Sequence, residues 1–232
     1  MTESPPDNEI TAVIFDFSGT LFRLEHSGDW VDQLGFRTTD LDIVELMRWM
    51  TAPTDPPIAL DADHLHAWRH RDLDPTLHRA AYAEILAHWG TISGVDVQAM
   101  YDILVDPLKW TPYPDTPTVL EKLSSAGITV TVLSNIAFDI RPAFISRGWD
   151  KWIDHFVLSY EVGAAKPDPS IFLAAVERMG ARAEHTLMIG DSPESDGGAA
   201  QIGCPVALVE PTPTTTRQDG LLAALRTHNL PV

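Results

Sequence analysis

Three short apolar runs, each ending on polar residues, constrain this chain more than any other feature. Residues 10–15 lead into Asp16, residues 128–133 into Ser134 and Asn135, and residues 185–189 into Gly190 and Asp191. Runs of this length, rich in β-branched residues, suit strands buried on both faces. Helical patterns separate them. One begins where Thr116 can cap and Pro117 can occupy the first turn, and Gly127 stops it. Another follows Asp168-Pro169, with Ile171, Phe172, Ala175, Val176 and Met179 at helical spacing before Gly180. Further strands are expected at 155–159 and 206–209. Strands alternating with helices predict an α/β protein with a doubly wound, Rossmann-like parallel sheet covered on both faces.

One stretch breaks the alternation. Between Glu25 and Trp110 there is no strand pattern, but helical patterns occur at 40–50, 61–71, 75–89 and 95–105. Turn material brackets the stretch, including Asp106-Pro107 and Pro112-Tyr113-Pro114. An all-helical cap over residues 25–110 is therefore expected, inserted between core segments 1–24 and 111–232. A Pro/Thr-rich loop at 211–216 precedes a last helix near 221–226.

Composition narrows the partners. The chain holds 33 acidic residues against 16 Lys and Arg, a net charge of −17, which argues against nucleic acid or an anionic membrane as a partner. At 44% hydrophobic residues it can bury a sizeable core. Cys204 stands alone, so one chain can form neither a disulfide nor a cysteine-based metal cluster. Residues 1–9 carry no basic residue, and no apolar run approaches membrane-spanning length. A cytoplasmic protein is expected.

Ligands of such sheets bind at the carboxyl ends of the strands. The residues predicted to meet there are Asp16-Phe17-Ser18-Gly19-Thr20, Ser134-Asn135, Lys166-Pro167, and Gly190-Asp191 with Asp196 beyond. Several carboxylates gathered without cause would repel or strand buried charge. A bound cation and an anionic substrate would supply the cause.

These four segments, in this order and with a helical insertion after the first, resemble the haloacid dehalogenase superfamily over nearly the whole chain. The resemblance implies that Asp16 is a nucleophile forming an aspartyl-phosphate. It implies Mg²⁺ held by the Asp16 carboxylate, the Ser18 carbonyl and the Asp191 carboxylate, with Asp196 orienting water or Lys166. Ser134 and Lys166 would hold phosphoryl oxygens, with Asn135 beside them at the substrate, and Thr20 would help orient Asp16. The implied substrate is a small organic phosphate.

Ser18 departs from the pattern. Family phosphatases carry a second Asp two residues after the nucleophile, and losing a general acid/base typically costs about 10²–10⁴ in rate. Relatives lacking that Asp differ in other ways. Dehalogenases have an aromatic residue there and also replace the metal-binding Asp, which this chain keeps as Asp191. Phosphonatases have Ala and need a cap lysine, but none occurs between Glu25 and Leu108. Ion-pumping ATPases have Thr but are membrane proteins. A slow or specialised phosphatase is expected, in which one of the cap histidines His26, His64, His66, His70, His78 or His88 could replace the acid. The alternatives are a metal-independent 2-haloacid dehalogenase and an impaired phosphate-binding regulatory protein. His66 and His70 share a helix face without a third zinc ligand, and Trp30, Trp49, Trp68 and Trp89 are expected chiefly in the cap's core.

Overall fold

The computed structural model describes residues 9–25, 47, 50–51, 55–93 and 96–231; side chains are described through residue 88 and again from residue 96. Five parallel strands form the main sheet in the order β5-β4-β1-β6-β7. They are β1 (Ala12–Phe15), β4 (Thr129–Ser134), β5 (His155–Leu158), β6 (Thr186–Gly190) and β7 (Val206–Leu208). Alternation along each strand divides the core between the two faces. Val13, Phe15, Val130, Val132, Leu187 and Ile189 join one cluster, and Ile14, Leu133, Val157 and Met188 join the other. Helices α4 (Thr116–Ser125), α5 (Arg141–Ile145) and α8 (Gly220–Thr227) contribute apolar residues to the first cluster. Helix α7 (Pro169–Met179) contributes Ile171, Phe172, Ala175 and Val176 to the second. This is the doubly wound α/β fold that the strand-helix rhythm predicted.

Where helices begin follows from their first residues, with one correction. Asp168 accepts from the Ser170 N–H at the start of α7, and Gly180 ends it at φ 59°. Thr116 does not cap α4. Its hydroxyl donates instead to the Leu21 carbonyl at 2.9 Å. Asp115 lies beside it and accepts from the Leu221 and Leu222 N–H groups, so it serves the distant start of α8.

Between β2 (Phe22–Arg23) and β3 (Thr111–Pro112) the described residues form α1 (Ala62–His70), α2 (Pro75–Ser93) and α3 (Val97–Val105), with no strand. The helix expected over 40–50 lies outside the described residues except at Met47 and Met50. β2 and β3 pair antiparallel, Phe22 with Pro112 and Arg23 with Thr111. This small ribbon was not anticipated. It ties the chain's departure from the core to its return. Trp68 packs with Ala67, Ala81 and Ile85 in the core of the helical span, while Trp30, Trp49 and the Trp89 side chain lie outside the described residues. α6 (Ser159–Val162) follows β5 directly.

Candidate active site

The site is assembled from strand ends. Asp16 follows β1, and its Oδ1 receives the Lys166 Nζ at 2.8 Å. The same ammonium donates to Asp196 Oδ1 at 2.6 Å. Lys166 reaches this point because Asn135, just beyond β4, holds its backbone from both sides. Asn135 Nδ2 donates to the Lys166 carbonyl at 2.8 Å, and Asn135 Oδ1 accepts its N–H at 2.7 Å. Asn135, expected at the substrate, thereby also positions Lys166.

Asp196 opens a 3₁₀ segment running to Ile202 and is fully buried. Its Oδ2 accepts from the Ser192 N–H at 3.0 Å, so both of its oxygens are occupied. Asp16, Asp191 and Asp196 each place a carboxylate oxygen within 4.8 Å of the others. Two glycines leave room for this crowding. A Cβ on Gly19, at φ 75°, would lie 2.3 Å from Asp191 Oδ2, and one on Gly190 would lie 2.1 Å from Asp196 Cγ.

The charges respond to one another. Burial raises the Asp16 carboxyl well above the usual range; Lys166 opposes this, and Asp196 and Asp191 add to it. Burial, reinforced by Asp196, pushes Asp191 up to about 6. Burial alone would lower the Lys166 ammonium, but Asp16 and Asp196 outweigh it and hold it above a free lysine. The cluster is thus an oxygen-only donor set with more negative charge than one lysine neutralises.

Asp16, Ser18, Ser134, Asn135, Lys166, Asp191 and Asp196 all line one cavity of about 210 Å³. Thr20 does not. It is fully buried, and its Oγ1 has no hydrogen-bond partner, so the expected role of its side chain beside Asp16 is corrected. The Gly19-Thr20 turn is held instead by Arg217, a residue not among the candidates read from the sequence. Arg217 Nη1 donates to the Gly19 carbonyl at 2.7 Å, Nη2 donates to the Thr20 carbonyl, and the guanidinium lies 3.1 Å from the Tyr113 ring centroid. Arg217 also donates to the nearby Glu210 carbonyl at 3.1 Å, but the Gly19 and Thr20 carbonyls and the Tyr113 ring lie far away in the chain, so nothing local signals this role.

The helical span closes the other side with Arg71, Asp72, His78, Tyr82 and Trp110. Among the described histidines of the span, only His78 lines the cavity. The His66 and His70 rings lie 4.3 Å apart, outside it. His78 Nδ1 lies 3.0 Å from the Tyr101 hydroxyl, and burial pushes its imidazole down to about 3. That value has a measurable consequence. The unfolded imidazole titrates near 6.5, so below that pH the unfolded chain binds the extra proton and stability is lost as pH falls toward 3. His78 alone should cost about 2 kcal/mol between pH 7 and pH 5. Urea unfolding of His78→Gln should show a correspondingly shallower loss; equal slopes would identify another titrating group.

Residues 10–203 match the family described as haloacid dehalogenase-like hydrolase. Ribulose-1,5-bisphosphate 5-phosphatase of Halopiger xanaduensis is 31% identical over 43% of this chain and 42% of its own length. (S)-2-haloacid dehalogenase 4A of Burkholderia cepacia is 27% identical over 59% of this chain and 64% of its own. The chain therefore matches less than two thirds of either relative. The L-2-haloacid dehalogenase structure from Xanthobacter autotrophicus superposes with a TM-score of 0.63 at 22% identity, covering 86% of this chain and 77% of that one. At that identity the likeness is one of fold. A family match running from the first strand to the loop after Asp196, on a sheet of the same architecture, makes this chain a member of the haloacid dehalogenase-like hydrolases.

Proposed function

We propose that the chain hydrolyses small organic phosphates with Mg²⁺, by way of a phosphoryl group carried on Asp16, and that residues 25–110 act as its cap. The observation that carries this reading is the placement of Asp191 and Asp196 against Asp16. A carboxylate nucleophile must be ionised, yet these neighbours favour the protonated form of Asp16. An Asp16 that attacked a haloacid without metal would be hindered by them. A divalent cation held by Asp16, Asp191 and the Ser18 carbonyl would reverse their effect, and oxygen donors suit Mg²⁺. When bound, it would neutralise phosphate charge and orient the phosphoryl group. Lys166 and Ser134, which both line the cavity, would stabilise charge on that group's oxygens. The wall formed by the helical span would shield the reaction from bulk water.

Phosphate release from alkyl and acyl phosphates, with and without Mg²⁺, tests the reading on the wild type beside Asp16→Asn. Release should require Mg²⁺, and Asp16→Asn should lower it by at least about 10³-fold, as when a covalent nucleophile is removed. Halide release from a 2-haloacid without Mg²⁺ would instead favour the dehalogenase reaction. Phosphate binding with no turnover of either substrate would favour a regulatory role.

A further inference from the structure

Ser18 leaves no carboxylate two residues beyond Asp16, but the structure places another across the cavity. Asp72 lies in the turn between α1 and α2, and it lines the same cavity as Asp16, Ser18 and Lys166. Among the described residues it is the only carboxylate that the helical span contributes to that lining. The other three, Asp16, Asp191 and Asp196, form the acidic cluster around Lys166. Asp72 is also tied to the core. The Ser159 hydroxyl at the start of α6 donates to the Asp72 carbonyl and accepts from the Ile136 N–H at 2.8 Å. The contact is to the main-chain carbonyl, so it fixes the Asp72 backbone beside the cavity that the residue lines.

Of the six cap histidines that could replace the acid, His26 lies outside the described residues, and among the others only His78 reaches the cavity, where it does not serve. His78 shares the cavity wall, but it is buried among Tyr82, Tyr101 and Phe138, and its imidazole stays neutral at working pH. It cannot donate a proton to an alkoxide as an imidazolium.

We propose that Asp72 is the general acid and base of the reaction, replacing from the helical span the carboxylate that Ser18 lacks. The inference rests on the phosphatase reading above. In the first half-reaction an Asp16 oxygen bonds to phosphorus, the bond from phosphorus to the ester oxygen breaks, and the departing alkoxide takes the proton of Asp72. In the second, water attacks phosphorus and gives a proton to the Asp72 carboxylate. The bond from phosphorus to Asp16 then breaks with its electron pair on Asp16, which releases phosphate and restores both side chains. Burial raises the Asp72 carboxyl, while Arg71 and Lys166 pull it down, so it stays protonated to higher pH than a free aspartic acid. The charged groups facing it are Arg71, 3.8 Å away, and across the cavity Lys166 with its partners Asp16 and Asp196, and Asp191 beside them.

The test compares wild type, Asp72→Asn and the double variant Ser18→Asp/Asp72→Asn, using an alkyl phosphate and 4-nitrophenyl phosphate, with single-turnover trapping of the phosphoenzyme. Asn preserves the carbonyl contact to Ser159, and circular dichroism verifies folding. Asp72→Asn should lower kcat for the alkyl phosphate by about 10²–10⁴. Its phosphoenzyme formation from 4-nitrophenyl phosphate should change little, because that leaving group needs no proton. The phosphoenzyme should then accumulate, and adding Ser18→Asp should recover most of the lost turnover. Unchanged kcat in folded Asp72→Asn would overturn the inference while Asp16→Asn remained inactive. Equal losses of phosphoenzyme formation with both leaving groups, without recovery in the double variant, would overturn it too. A wild type that formed no phosphoenzyme, and lost nothing in Asp16→Asn, would overturn the phosphatase reading along with it.

Discussion

Lys166→Met should destabilise the folded protein by about 3–5 kcal/mol at pH 7, the range for breaking a buried ion pair from one side. The ammonium is the cation shared by Asp16 at 2.8 Å and Asp196 at 2.6 Å. Methionine matches much of the lysine's length and bulk, so the loss reports charge more than volume. The effect should depend on pH in a definite direction. Asp16 is already raised above 3.8 in the fold, and without Lys166 it loses the main influence that lowers it. A folded-state pKa above the unfolded one means that the folded chain holds more protons, so stability falls as pH rises through that interval. Lys166→Met should therefore be less destabilised at pH 5 than at pH 7. Mg²⁺ should restore part of the deficit by supplying positive charge to the same carboxylates. Turnover should stay low even where the fold is restored, because Lys166 also faces the cavity. Urea unfolding at both pH values, with and without Mg²⁺, measures these effects; a variant as stable as wild type at pH 7 would show that the ion pairs do not hold the site together.

Gly190→Ala is expected to cost more than about 4 kcal/mol or to prevent folding, although it adds one methyl group. The added carbon would lie 2.1 Å from both Cγ and Oδ2 of Asp196. A flexible surface side chain would move aside. Asp196 cannot, because it is fully buried and held by Lys166 and by the Ser192 N–H. Displacing it would leave the ammonium short of a partner and disturb Asp16 with it. Gly197 is the matched control a few residues away, since a Cβ there meets nothing within 4 Å. Gly197→Ala should change stability by no more than about 1 kcal/mol. Thermal unfolding of the two variants side by side checks the contrast. Similar melting of Gly190→Ala and wild type would mean that Asp196 is not fixed where the geometry places it.

The parts of this protein that were legible in its sequence are those governed by neighbours along the chain. The run ending at Asp16 alternates Val13 and Phe15 on one face with Ile14 on the other, and both faces are buried. The α7 segment carries its own cap, apolar stripe and terminating glycine. Asp16, Ser134, Lys166, Asp191 and Asp196 could be grouped because each stands at or beyond a strand's carboxyl end, and parallel strands bring those ends to one edge. Thr116 was misjudged because local capping competes with more distant partners: its hydroxyl bonds to Leu21, while Asp115 caps α8.

By itself, the sequence determined the sheet, the helical interruption and the residues that would share an edge, because periodicity and turn chemistry reside in each segment's own side chains. Only the tertiary structure decided how those residues are used. Asn135 engages the Lys166 backbone, Arg217 holds a turn 198 positions away, and Asp72 meets the core through Ser159, 87 positions away. His78 stays uncharged because aromatic rings from three parts of the chain enclose it. Desolvation, ion pairing and hydrogen-bond partnership depend on which groups come within a few ångströms of each other, and chain-distant contacts of that kind leave no local pattern to read.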